Sequence, residues 1–197
     1  MKKKVLSFAV CLTALIACND SGSDTQEGPL PDSANTTSNT NTTTDNTTNT
    51  ATTPLSKDDS SFVMEAAIGG LMEVESGRIA QENAANQQVK DFGGMMIRDH
   101  EKANQELMSL ASGRGMTLPT ALPADKQKHL DEMKKMKGKS FDNHYVNMMV
   151  NDHKKTIDLF EKQANGGADP QLKTWASNTL PTLKMHNDSA QALKKRM

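Results

Sequence analysis

Apolar residues recur at helical spacing throughout residues 58–197. Along four long segments they return every three or four positions, which places them on one face of an α-helix. No stretch alternates apolar and polar residues for long enough to predict a strand. The long segments are residues 58–85, 87–112, 141–164 and 170–196. The pattern therefore predicts an all-α fold in which these helices bury their apolar faces against one another.

The connections between the segments complete this arrangement. Glycine and proline interrupt residues 113–123 and 165–170, as expected where helices end. Residues 124–137 predict a short crossover helix between the second and third long helices. Four long helices around one interior make a four-helix bundle. With 5 Phe, 1 Tyr and 1 Trp against 13 Met, the core must rely on methionine, alanine and leucine.

The ends and interiors of the helices carry two further signals. Asp58 or Asp59 can cap the first helix, and Ser140 can cap the third long one. Glycines inside helices each cost about 1 kcal/mol relative to alanine. That cost indicates either a close approach of two helices or space left between them. The glycines concerned are Gly69, Gly70, Gly77, Gly93 and Gly94.

One pattern occurs twice, as MMIRDHEK at 95–102 and MMVNDHKK at 148–155. It places His100 and His153 on the apolar stripes of the second and third long helices, and Glu73 and His186 lie on the stripes of the other two. Each is near the middle of its helix. At about 1.5 Å per residue, their heights then agree within roughly 6 Å whichever way each helix runs. We expect three imidazoles and a carboxylate to meet at the centre of the bundle.

Such a cluster supports two hypotheses. Imidazole and carboxylate ligands suit one transition-metal ion, such as zinc, iron or copper. Alternatively, the four side chains form a metal-free network of hydrogen bonds, because a buried carboxylate needs such partners. Both hypotheses stay open on the sequence alone.

Five neighbouring residues are candidates for supporting roles. Asp99 and Asp152 precede the repeated histidines and point aside, which suits hydrogen bonds to a ligand or ion pairs with basic neighbours. Met96 and Met149 lie one turn before the histidines. A thioether beside an imidazole suits Cu(I), whereas packing in the core is the simpler role. We expect Tyr145 to pack with its hydroxyl bonded near the surface of the bundle.

The N-terminal region predicts export. Three lysines precede a short apolar stretch, so residues 1–17 have the form of a signal peptide. The tetrapeptide LIAC ends at Cys18 and resembles the lipobox of bacterial lipoproteins, which predicts that this cysteine carries a lipid. An ordinary cleaved signal with a free thiol is the alternative. Residues 18–57 are rich in Asn and Thr and predict a disordered linker. We expect the domain, residues 58–197, to be tethered on the outer-membrane or periplasmic side.

Other functional classes find little support. The chain carries 23 Lys and Arg against 24 Asp and Glu, and this balance argues against a nucleic-acid partner. It has no glycine-rich phosphate loop, nucleophile elbow or His-Glu-x-x-His motif. No catalytic residue and no protein partner can therefore be named from the sequence.

Several stretches resemble a large bacterial family of unknown function. They are FVMEAAIGGLMEVESGRIA, VKDFGGMMIRDHEKAN, FDNHYVNMMVNDHKKTIDLF and LPTLKMH. Members are often labelled outer membrane proteins and are grouped with ferritin-like bundles. The resemblance covers about residues 58–190 and implies an exported, ferritin-like helical domain without a known activity. Di-iron bundles use Glu-x-x-His motifs, but Ile97, Val150 and Leu183 stand three residues before the histidines here, so ferroxidase activity is not implied.

These observations lead to one main hypothesis and one alternative. The main hypothesis is a lipid-anchored envelope protein of uncharacterised function that binds one transition metal in the core of its bundle. The alternative is a structural or interaction module of the envelope with a metal-free His/Glu network.

Overall fold

A computed structural model describes residues 53–197, and these residues form five α-helices without strands. The helices are α1 (Lys57–Asn83), α2 (Gln87–Ser112), α3 (Ala124–Lys135), α4 (Gly138–Gly166) and α5 (Pro170–Lys194). The predicted all-α class and the order of the helices are confirmed. Within residues 53–197, no helix combines the length and apolar character needed to cross a bilayer. The predicted signal peptide, Cys18 and nearly all of the predicted linker lie outside the described residues.

The long helices pack as two hairpins. α1 lies along α2, and α4 lies along α5, while the hairpins meet through α1 against α4 and α2 against α5. The short α3 packs against α1. Two apolar clusters fill the interior, one around Phe92, Phe141 and Tyr145 and the other around Phe62 and Trp175.

Two buried aspartates join one hairpin to the other. Asp59, in the first turn of α1, accepts hydrogen bonds from the backbone N–H groups of Ala168 (3.1 Å) and Asp169 (3.0 Å), just before α5. Asp142, near the start of α4, accepts equivalent bonds of 3.0 Å from the two residues just before α2. Each hairpin therefore satisfies loop amides of the other with a carboxylate, which is a strong kind of hydrogen bond.

The helix caps differ from those predicted. Ser56 caps α1, because its side chain accepts a hydrogen bond of 3.0 Å from the backbone N–H of Asp59. The prediction of Asp58 or Asp59 was wrong, since the Asp59 carboxylate is bonded to the distant loop. α4 begins at Gly138, so Ser140 lies inside the helix and does not cap it. The φ of Gly138 is 63°, a backbone conformation that glycine adopts readily.

Close helix approach explains two of the helical glycines. A β-carbon on Gly77 would lie 2.8 Å from the carbonyl oxygen of Gly93, and a β-carbon on Gly93 would lie equally close to that of Gly77. The backbones of α1 and α2 therefore touch at this point. At Gly69, in contrast, a β-carbon would meet no atom within 4 Å, because this residue borders open space beside α1.

Candidate metal centre

One polar side chain from each long helix reaches a common layer of the interior. The four are Glu73 on α1, His100 on α2, His153 on α4 and His186 on α5, and none is more than 6% exposed. The ring centroids of His100 and His153 are 5.8 Å apart, and the His186 ring is 5.3 Å from each. Along the helices, this layer lies where one apolar cluster ends and the other begins. The side chains that sequence spacing placed on inner stripes thus stand together.

Glu73 contacts two of the three imidazoles. Its Oε2 lies 3.0 Å from Nε2 of His100, and its Oε1 lies 3.4 Å from Nδ1 of His153. Within the described residues, Oε1 of Glu73 and Nε2 of His100 are both buried without a hydrogen-bond partner of good geometry. The carboxylate is therefore close enough to both rings to pair with them electrostatically.

Two of the histidines have their ring orientation set by a neighbour. Nδ1 of His153 donates to the backbone carbonyl of Met149 at 3.0 Å, because a carbonyl can only accept. Nε2 of His186 donates to Oδ2 of Asp99 at 2.8 Å. In the neutral form of each ring, the opposite nitrogen, Nε2 of His153 or Nδ1 of His186, carries the lone pair. Both are buried and without a hydrogen-bond partner among the described residues.

Within residues 53–197, four buried polar atoms of the cluster have no hydrogen-bond partner. They are Oε1 of Glu73, Nε2 of His100, Nε2 of His153 and Nδ1 of His186. Buried polar atoms in folded proteins normally have a partner, so this concentration requires an explanation. The three histidines each offer a ring nitrogen within 4.8 Å of the other two, in a set that does not include Glu73. Ligand nitrogens at about 2.1 Å from one ion stand at most roughly 4.2 Å apart, so small side-chain shifts would close the set.

The charges in the cluster shift one another's protonation. Burial raises the pKa of Glu73, but the charges of His100 and His153 outweigh it and lower that pKa to about 2. Burial lowers the pKa of His100, but Glu73 outweighs it and holds the pKa above its ordinary value. Burial lowers the pKa of His186 to about 4 in spite of Asp99. Near pH 6 the Glu73 carboxylate thus faces a protonated His100, while His186 stays neutral and able to bind a cation.

Two spaces adjoin the cluster. A cavity of about 30 Å³ is lined by Glu73 and His100, and it has room for one species the size of water. A groove of about 420 Å³ runs outside it, between α1, α4 and the start of α3, and Glu73 lines this groove too. Gly69 borders both spaces. Glu73 is therefore the member of the cluster that adjoins the groove.

The predicted supporting residues have mixed outcomes. Asp99 bonds to His186, whereas Asp152 lines the groove and makes no hydrogen bond to a histidine within residues 53–197. Burial and the nearby charge of Glu73 raise the pKa of Asp152. Met96 and Met149 are fully buried in an apolar cluster. The backbone carbonyl of Met149 accepts the hydrogen bond from His153. Tyr145 is buried and its hydroxyl has no hydrogen-bond partner among residues 53–197, so the expected bond near the surface was wrong.

Two further histidines, which no sequence pattern singled out, lie close together outside the core. His129 on α3 and His144 on α4 have ring centroids 5.3 Å apart, and Nε2 of His129 lies 3.3 Å from Sδ of Met148. One signal was available, because His144 and Met148 are four residues apart and share a helix face. Nothing in the sequence indicates that His129 joins them, since that depends on how α3 docks.

Comparisons with known proteins place the chain in a family. The family model described as a domain of unknown function, DUF4142, matches residues 44–193. No curated protein matches the sequence. The structure is similar to the crystal structure of a DUF305 fragment from Deinococcus radiodurans, with a TM-score of 0.64 and 8% identity, over 73% of this chain and 99% of that one. At this identity the likeness concerns the fold alone. The chain belongs to the DUF4142 family, a domain of unknown function.

Proposed function

We propose that this chain is a metal-binding domain of the cell envelope, in which His100, His153 and His186 hold one transition-metal ion beside Glu73. The observation that carries the proposal is a group of four buried potential ligand atoms, one from each long helix, that lack hydrogen-bond partners in the described part of the chain. An ion bound in this layer would satisfy atoms that the protein leaves unpaired. A metal-free network fits less well, because each unsatisfied buried group costs about 1–3 kcal/mol.

The surroundings of the histidines support the same proposal. Asp99 accepts a hydrogen bond from the ring of His186, and the Met149 carbonyl accepts one from the ring of His153. In each ring the other nitrogen is left to bind an ion, and metal-binding histidines commonly have partners of this kind. Glu73 supplies a negative charge that would offset part of the charge of a divalent ion. Zinc, iron and copper all accept imidazole and carboxylate ligands.

The ferritin-like four-helix arrangement is part of this proposal. It is supported by the packing of α1, α2, α4 and α5, each against two of the others, and by a polar layer near the middle of these helices. We propose one ion rather than a di-iron pair, since Glu73 is the one carboxylate that the layer contains among the described residues.

Zinc counting tests the proposed centre. The mature chain, freed of metal with a chelator and then exposed to Zn²⁺ and dialysed, should retain about one zinc per chain, because zinc accepts these ligands and undergoes no redox change. His153→Gln and His186→Gln should abolish that retention. His129→Gln removes a histidine outside the layer and should leave the zinc content unchanged.

Thermal unfolding gives a second reading that does not depend on the variants. An ion bound to the native state at a hundredfold excess over its Kd stabilises it by about 2.7 kcal/mol. Addition of Zn²⁺ should therefore raise the Tm of the unaltered chain. Absence of zinc from that chain, or equal zinc in it and in His153→Gln, would contradict the proposed centre.

Anchoring is a separate proposal. We propose that a lipid on Cys18 tethers the domain to an envelope membrane, which is supported by the apolar stretch before LIAC and by the Asn/Thr-rich residues after it. Cys18→Ser should move the chain from the membrane fraction to the soluble fraction of fractionated cells. A variant that stays with the membranes to the same extent as the unaltered chain would contradict lipid attachment.

A further inference from the structure

A second group of metal-binding side chains lies on the other side of α4. His144 and Met148 occupy adjacent turns of α4, and His129 reaches them from α3. All three are partly buried. We propose that His129, His144 and Met148 form a second metal site, distinct from the core centre, that takes the soft monovalent ion Cu(I).

The contact between α3 and α4 brings together groups that bond poorly to one another. Nε2 of His129 lies 3.3 Å from Sδ of Met148, but a thioether is only a weak hydrogen-bond acceptor. Nε2 of His144 is buried and has no hydrogen-bond partner among the described residues. Two imidazoles and a thioether thus stand side by side without the stronger partners that buried polar atoms usually have.

The chemistry of these groups selects the ion. Thioether ligands are soft and favour Cu(I), and imidazole accepts copper as well. All three ligands are uncharged, which suits a monovalent ion better than a divalent one, because less charge is left uncompensated.

The second site is independent of the core centre. His144 precedes His153 by nine residues on α4, which separates them by roughly 13 Å along the helix axis. The ligands also differ, since the core layer offers imidazoles with a carboxylate and the second site offers imidazoles with a thioether. One domain would then hold a divalent ion inside and a Cu(I) ion at the junction of α3 and α4.

Competition for Cu(I) under anaerobic, reducing conditions tests the second site. The mature chain should withhold about one Cu(I) from a chromogenic Cu(I) chelator, and X-ray absorption of the bound copper should show a sulfur neighbour. Met148→Leu keeps the size of the side chain and should cost less than about 1.5 kcal/mol of stability. It should weaken Cu(I) binding by at least roughly tenfold, which is the low end of the effect of removing even a supporting partner of a metal ligand.

A matched methionine controls for the loss of a thioether in general. Met95 packs against the same apolar cluster as Met148 but lies on the surface between α2 and α5. Met95→Leu should leave both the affinity and the sulfur neighbour unchanged. His129→Gln should weaken binding as Met148→Leu does, whereas His153→Gln, which alters the core, should keep the sulfur-bound copper.

Several results would overturn the second site. They are absence of Cu(I) binding by the unaltered chain, copper without a sulfur neighbour, and equal affinities of Met148→Leu and the unaltered chain. Copper that has only nitrogen neighbours and is lost in His153→Gln would lie in the core. That result would also overturn the second site. Retention of zinc in the core is measured separately, so failure of either site leaves the other standing.

Discussion

Glu73→Gln should lower the free energy of unfolding of the metal-free chain by roughly 3–5 kcal/mol, the range found when one partner of a buried ion pair is removed. Glu73 is 4% exposed and lies 3.0 Å from the ring of His100. Glutamine keeps the size of the side chain but removes the charge that holds His100 protonated. Urea unfolding in the presence of a chelator, monitored by circular dichroism, measures the difference in free energy of unfolding between the variant and the unaltered chain.

Glu75 provides the matched control on the same helix. Its carboxylate is 44% exposed and pairs with Arg78 at 2.6 Å, so Glu75→Gln should cost less than about 1 kcal/mol. The pKa of Glu73 is lowered from 4.5 to about 2, so its contribution is lost as the pH falls from 4.5 towards 2. The difference between the unaltered chain and Glu73→Gln should therefore shrink over that interval. Equal costs for the two variants would show that the buried pairing contributes nothing to stability.

Asp59→Asn should destabilise the chain by roughly 3 kcal/mol, because hydrogen bonds to a buried charged group are replaced by unsatisfied or repulsive contacts. Oδ1 of Asp59 accepts from the Gln163 side chain at 2.7 Å and from the N–H of Ala168, while Oδ2 accepts from the N–H of Asp169. An amide in place of the carboxylate turns an N–H towards one of these donors. Thermal and urea unfolding should both report the loss.

The adjacent Asp58 is the control for this exchange. It lies in the same first turn of α1 but is exposed, so Asp58→Asn removes only its interaction with the helix dipole, worth about 0.3–1 kcal/mol. Burial raises the pKa of Asp59, but hydrogen bonds from Gln163, Ser56 and the loop amides outweigh it and lower the pKa below 3.8. Its stabilisation is thus present above that pH and is lost as the pH falls through the folded pKa. Similar costs at Asp58 and Asp59 would contradict a role for the loop contacts.

The predictions that succeeded concern local properties of helices. The all-α class and the order of the helices follow from apolar spacing, because the direction of a side chain around a helix depends only on its position along the chain. His100 and His153 were assigned to inner faces for that reason, and both are buried. Their common height needed only the mid-helix position, which does not depend on the direction of each helix.

The predictions that failed depend on contacts between distant residues. Asp59 has the form of a helix cap, yet its carboxylate bonds to amides more than a hundred residues away. Tyr145 was expected to place its hydroxyl near the surface, but the hydroxyl is buried without a hydrogen-bond partner in the part of the chain that the structure describes. His129 gave no signal, because α3 is largely polar and its contact with Met148 appears only when α3 docks.

The sequence by itself determined the all-α class of residues 58–197 and the order of their helices, and that a glutamate and three histidines lie on inner faces at mid-length. Those features depend on helical geometry, which neighbouring residues set. Only the tertiary structure decided which nitrogens keep their lone pairs, which aspartate bonds to His186, and that a thioether meets a second pair of imidazoles. These depend on the rotation and separation of packed helices, which change by a few ångströms with side chains far apart in the chain, and no local pattern records them.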